Sequence, residues 1–213
     1  MAQVWSVVVA GGSGQRFGTL KQFSLLAERP VVEWSVAACR DSSSGVVLVL
    51  PRGAVGPMAF GADVVVEGGG TRTESVCRGV AAVPPTAEVI VVHDAARPLA
   101  SEDLFRAVIT AVTADGAGGA IPGIPVSDTI KVVDGSGCVT ATLDRDTLVA
   151  VQTPQAFDAD LLRRAHAGGT QATDDAALVE ALGATVRVVP GDPRNLKITT
   201  PADLELAEHL LRG

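Results

Sequence analysis

The sequence predicts an α/β fold: a mostly parallel sheet covered by helices on both faces, with a β-hairpin arm protruding from it. Short apolar β-branched runs alternate with helical stretches along the chain. Runs such as Val46-Val47-Leu48-Val49-Leu50 are continuous, the pattern of parallel strands buried on both sides. The stretch 129–142 breaks this rhythm, with two short β-like runs flanking a glycine-rich turn.

Taken in order, strands are expected at 6–10, 46–50, 62–66, 89–92, 119–121 and 186–189. Pro30 can open a helix over 31–39. Thr71-Arg72-Thr73-Glu74 has the form of a capping box ahead of 76–83. Ser101 precedes Glu102 and Asp103 at another helix start, and Thr200-Pro201-Ala202-Asp203 opens the last helix, with Leu204, Ala207, Leu210 and Leu211 on one face. Asp134-Gly135-Ser136-Gly137 turns the chain between β-like runs at 129–133 and 138–142. A lone hairpin is marginally stable in water, so the arm, residues 125–152, is expected to pack on something. A second subunit is the natural candidate.

A chain of 213 residues, 47% hydrophobic and 19% charged, suits one compact domain spanning 1–213. No apolar run reaches the length of a membrane span, and the start lacks a secretory signal, so a soluble cytoplasmic protein is expected. Cys39, Cys77 and Cys138 are odd in number and lack C-x-x-C spacing, which reads as reduced thiols. A net charge of −7 and 3% aromatic residues argue against a polymeric nucleic acid partner. A mononucleotide needs only a few local cations.

Such cations follow the first strand. The segment Ala10-Gly11-Gly12-Ser13-Gly14-Gln15-Arg16-Phe17-Gly18-Thr19-Leu20-Lys21-Gln22 lets backbone N–H groups approach phosphates where open α/β sheets bind nucleotides. The dinucleotide fingerprint is excluded, because Phe17 replaces its third glycine and Pro51-Arg52 ends the second strand in place of an acid. The P-loop pattern also fails: Thr19 follows Gly18 where lysine belongs. What remains is a glycine loop with Arg16 and Lys21, a pair suited to a pentacoordinate phosphorus and a departing pyrophosphate.

This loop is followed in order by Gly68-Gly69-Gly70-Thr71-Arg72-Thr73-Glu74-Ser75-Val76, His93-Asp94-Ala95-Ala96-Arg97-Pro98, Asp128-Thr129-Ile130-Lys131, Asp144-Arg145, Thr153-Pro154-Gln155, Thr173-Asp174-Asp175 and Asn195-Leu196-Lys197-Ile198-Thr199. The series, covering nearly the whole chain, resembles the 2-C-methyl-D-erythritol 4-phosphate cytidylyltransferases of the non-mevalonate isoprenoid pathway. The resemblance implies a Rossmann-like domain of the nucleotide-diphospho-sugar transferase type, CTP with Mg²⁺, and a homodimer of interlocking arms.

Carried over by position, it gives Arg16 and Lys21 the charge developing on the α-phosphate, and Arg145 and Lys197 the polyol phosphate. Ala10, Gly11, Gly12, Gly69, Gly70, Ser75, Asp94 and Ala95 would surround the nucleotide. Asp94, Arg97, Thr129, Arg145, Thr153, Thr173 and Lys197 would surround the second substrate, with Asp94 the carboxylate nearest a metal. His93 reads as a packing or hydrogen-bonding residue at a strand end. A phosphate monoester is already anionic at neutral pH, so the reaction needs cations more than a general base. Leu20, Gly70 and Arg194 depart from the family's common proline, aspartate and acid, and Arg194 is expected to alter how Lys197 is held. The competing readings are a ribitol 5-phosphate cytidylyltransferase, a molybdopterin guanylyltransferase, a nicotinamide oxidoreductase and a CTP-binding regulator without turnover.

Overall fold

The computed structural model describes residues 2–11, 21–54, 59–169, 171–172 and 174–212. In chain order its elements are β1 (Val4–Val9), a 3-10 turn (Lys21–Phe23), β2 (Leu25–Leu26), β3 (Arg29–Pro30), α1 (Val31–Arg40), β4 (Gly45–Leu50), β5 (Val64–Glu67), α2 (Arg72–Ala81), β6 (Val89–Asp94), α3 (Glu102–Thr113), β7 (Gly119–Pro125), β8 (Lys131–Val133) and β9 (Val139–Thr142). A second 3-10 turn (Arg145–Thr147), β10 (Val149–Val151), β11 (Gln155–Asp158), α4 (Ala159–Ala167), α5 (Asp175–Glu180), β12 (Val186–Pro190) and α6 (Pro201–Arg212) complete it.

The main sheet runs β10-β7-β11-β6-β1-β4-β5, with β12 on the other side of β7. Strands β6, β1, β4 and β5 are mutually parallel, as are β7 and β12, whereas β10 and β11 run antiparallel to their neighbours. Burial follows the pleat. Val46, Leu48 and Leu50 join the core beneath α1 and α3, while Val47 and Val49 join the opposite core with Val76 and Val80 of α2 and Leu162 of α4. Every residue of β4 and β6 is buried. Two apolar faces on one strand erase alternation, which is why these segments read as continuous runs. A third cluster of Leu26, Val31, Ile198 and Ala207 seats α6.

The helix starts obey their local chemistry. Thr71 Oγ1 accepts from Glu74 N at 3.1 Å, but the Glu74 carboxylate turns to Gly70 N at 2.7 Å, so the reciprocal bond reaches one residue beyond the cap. Ser101 caps α3 through Leu104 N, and Asp203 gathers the N–H groups of Thr199 and Thr200. The cap of α5 is Asp174, accepting from Ala177 N at 3.1 Å.

Strands β10 and β11 were not anticipated. Both pair with β7, Val151 against Gly123 and Ala156 against Ala120, so 152–155 faces only 121–122. Gln152 N still donates to Pro122 O of β7 at 2.8 Å, and the bulge lifts Thr153 and Pro154 off the ladder; the Thr153-Pro154 peptide is cis. Beyond the sheet stands the β8–β9 hairpin, its turn held by Asp134 Oδ1 accepting from Ser136 N and Cys138 N, both at 2.9 Å. Its side chains are exposed throughout.

Candidate active site

The site forms where β1, β4, β5 and β6 end, the side on which open α/β sheets bind ligands. Ala10 and Gly11 leave β1. The chain then returns to its own start, because Gln22 Nε2 donates to Ala10 O at 2.9 Å, which closes the glycine loop at its base. Gly12 and Arg16 lie outside the described residues, as does the Lys21 side chain; the Lys21 backbone sits in the 3-10 turn beside Gln22.

Ser75 joins this strand end to the glycine turn. Its hydroxyl donates to Thr71 O at 2.8 Å and accepts from Gly69 N at 3.1 Å. A Cβ on Gly11 would fall 2.9 Å from Ser75 Oγ, and one on Gly68 2.8 Å, so only glycine allows the two loops to close on the serine. Gly11 and Gly69, with Ala10 and Gly70 beside them in the chain, are therefore brought together at Ser75. Ala95, hydrogen-bonded to Val9 O, sits at the same sheet end.

Asp94, the last residue of β6, is the electrostatic centre. Its Oδ2 lies 2.6 Å from Lys197 Nζ and its Oδ1 3.3 Å from Arg72 Nε. Burial alone would raise its pKa; Arg72 and Lys197 overcome that and hold the carboxyl well below the usual range. Both cations favour its ionised form. Lys197 gets there because its neighbours are pinned: Asn195 Nδ2 donates to Thr153 O at 2.9 Å, and Ile198 N donates to Ala96 O at 2.8 Å. Both neighbours are fully buried, whereas Lys197 is 41% exposed along its side chain.

Thr153 and His93 hold Asp94 from behind. Asp94 N donates to Thr153 Oγ1 at 3.0 Å, and Thr153 Oγ1 lies 3.2 Å from His93 Nδ1. His93 Nε2 is 3.1 Å from Arg97 O. A carbonyl only accepts, so Nε2 carries the hydrogen, and neutral Nδ1 accepts from the Thr153 hydroxyl. Burial pushes His93 down to about 4, which keeps the ring neutral. His93 also packs on Phe105, ring centroids 5.3 Å apart. The packing and hydrogen-bonding role read for His93 is what the structure contains. Thr153, expected beside the substrate, is buried with its hydroxyl committed to this relay.

Arg97 donates to Asn195 O at 2.7 Å, tying β6 to the loop that carries Lys197. Gln152 strengthens that tie, bonding Asp192 N and O and Asn195 O. Arg194 does not act on Lys197 as expected from its departure: it donates to Leu210 O at 2.8 Å and caps the end of α6. Thr173 lies outside the described residues. Thr129 and Arg145 stand on the arm, both exposed, and Arg145 donates to Ser127 O at 2.7 Å; no bond within the chain brings them to Asp94 among the described residues.

The sequence reading missed Arg72 and Asp175. Arg72 opens α2, where the helix dipole disfavours a cation. That misplaced charge was the signal of a pairing acid. Arg72 Nη1 lies 2.9 Å from Asp175 Oδ2, and Asp175 Oδ1 lies 3.0 Å from His166 Nε2, with both partners of that second pair almost fully buried. Among the described residues no group of three His, Cys, Asp or Glu could hold a metal ion. No described helix is long and apolar enough to cross a membrane.

Comparison with known proteins identifies the family. The family model of 2-C-methyl-D-erythritol 4-phosphate cytidylyltransferase matches residues 4–213. The chain is 40% identical to the enzyme so named from Nostoc punctiforme, covering 98% of each, and 44% identical to that from Frankia casuarinae, covering 98% of this chain and 81% of the relative. The crystal structure of the Thermus thermophilus enzyme superposes with a TM-score of 0.83 at 39% identity, covering 97% of this chain and 98% of the other. The sheet with its β6 carboxylate, the glycine-lined strand end and a match across almost the entire length place this chain in the 2-C-methyl-D-erythritol 4-phosphate cytidylyltransferase family.

Proposed function

We infer that this member carries out the reaction of its family: it transfers CMP from CTP to 2-C-methyl-D-erythritol 4-phosphate in isoprenoid precursor biosynthesis. A phosphate oxygen of the polyol attacks the α-phosphorus, the bond from that phosphorus to the β-phosphate bridging oxygen breaks, and pyrophosphate leaves. The products are 4-diphosphocytidyl-2-C-methyl-D-erythritol and pyrophosphate. The observation that carries the reading is the Asp94 carboxylate, gripped by Lys197 and Arg72 at the same sheet end where Gly11 and Gly69 close on Ser75. Lys197, 41% exposed along its side chain, is free to meet a phosphate. Two anions must approach, so the cations Arg16, Lys21 and Lys197 lower the barrier by offsetting repulsion. Arg97 secures the loop that presents Lys197.

A single carboxylate whose two oxygens already face cations does not build a metal cage. Asp94 is the protein carboxylate that would hold a Mg²⁺ ion arriving with the triphosphate, the phosphates and water supplying its other ligands. When bound, the ion neutralises charge on the phosphates.

The chain works as one domain with residues 125–152 as a dimer arm. Val132, Val133, Val139, Leu143, Val149 and Val151 are all at least 36% exposed on that arm, an apolar surface that a second copy would cover. The partner's site would then receive Arg145, with Thr129 and Thr173 near the polyol. Three unbridged cysteines support a cytoplasmic setting.

The direct test incubates purified protein and Mg²⁺ with each nucleoside triphosphate and either methylerythritol phosphate or ribitol phosphate, and follows pyrophosphate. Release is expected with CTP and methylerythritol phosphate alone. Release only with ribitol phosphate, or none with any pair, refutes the reading. Mixing Arg145→Ala and Lys197→Ala chains tests the arm: verified heterodimers are expected to regain activity, and silence counts against sharing.

A further inference from the structure

We propose that Asp175 and Arg72 are positioning residues for the transfer, holding Asp94 in place when Lys197 leaves it to meet an incoming phosphate. The proposal rests on the function inferred above. Among the described residues Asp94 forms ion pairs with two cations of different kinds. Lys197 is one flexible stem, 41% exposed, with a single bond to the carboxylate. Arg72 is gripped at both ends, Nε toward Asp94 and Nη1 toward Asp175. A phosphate dianion can recruit the lysine. It cannot easily recruit the arginine, whose guanidinium is already paired with two carboxylates.

Asp175 is the anchor of this arrangement. Its side chain is 1% exposed, and its other oxygen receives the Nε2 hydrogen of His166. The line His166, Asp175, Arg72, Asp94 thus runs from α4 through α5 and α2 to the end of β6. Once Lys197 has moved, Arg72 is the described cation still in direct contact with Asp94, Arg97 acting on it from further away, and Arg72 fixes its direction. A carboxylate free to rotate there would repel the second substrate's phosphate or drift from its polyol.

The test uses the full-length enzyme with Asp175→Asn and Arg72→Lys. The amide keeps the shape but loses the charge that holds the guanidinium; lysine keeps the charge but cannot span both acids. In each variant kcat/KM for the polyol phosphate is expected to fall about 10- to 100-fold, the scale of a displaced reacting group, while the KM for CTP changes less than about three-fold. Either change added to Asp94→Asn should cost nothing further, because the same contact is already lost. Losses that add to Asp94→Asn, an equal effect on both substrates, or unchanged kinetics in correctly folded protein would overturn the proposal. So would failure of both variants to fold, which would make the line purely architectural. A wild-type enzyme without turnover would instead refute the inferred function on which the proposal stands.

Discussion

Replacing Thr153 by valine removes one hydroxyl and keeps the shape. In the native protein that hydroxyl accepts from Asp94 N at 3.0 Å and faces His93 Nδ1 at 3.2 Å, at a side chain only 5% exposed. Valine leaves a buried N–H and a buried ring nitrogen without partners. Each orphaned group costs about 1–3 kcal/mol; partial relaxation of the imidazole brings the expected total to about 2–4 kcal/mol. For a domain of this size that is a fall in Tm of roughly 5–15 °C. Thr153→Ser keeps the relay and loses one buried methyl, about 1 kcal/mol. Urea unfolding followed by circular dichroism at pH 7 measures both variants. A valine variant within about 0.5 kcal/mol of wild type, or a serine variant as unstable as the valine one, would refute the assignment of this hydroxyl to the fold.

Three further outcomes follow from the same contacts. Lys197→Ala should lower kcat/KM about 100- to 1000-fold with the far-ultraviolet spectrum unchanged, since the side chain is 41% exposed; unfolding would show the lysine to be structural. Gly79→Ala should destabilise by about 1–2 kcal/mol in urea despite alanine's better helix propensity, because its Cβ would meet Val7 and lie 2.8 Å from Val49 Cγ2; a stabilised variant would show that α2 can lift off the sheet. His93 sits at about 4 when folded against an ordinary 6.5. The unfolded chain therefore binds the extra proton first, and the stability from the neutral ring is complete above about 6.5 and lost as pH falls toward 4. The stability advantage of wild type over His93→Gln should shrink by on the order of 3 kcal/mol across that window, and parallel curves would contradict it.

The parallel half of the sheet was legible because its strands are buried on both faces and announce themselves as unbroken apolar runs. Helix starts at Thr71 and Ser101 were legible because capping is local chemistry. Strands β10 and β11 were not, for a physical reason: each is three or four residues long, they flank Thr153-Pro154, and their pairing with β7 is fixed by distant partners. The site divides in the same way. Asp94 and Lys197 stood out by their order along the chain. Arg72 and Asp175 form a pair only after α2 and α5 meet. Asp175, an acid in a first helical turn, looked like routine helix chemistry.

The surplus pair of residues between β10 and β11 couples folding to activity through one short loop. Deleting two residues there would give β7 a regular, uninterrupted neighbour, but it would orphan Asp94 N, remove the carbonyl that anchors Asn195, and lose the strap that orients the β6 carboxylate. Insertions and deletions at this point should therefore lower solubility and catalysis together, and a screen that scores expression alone would already discard them.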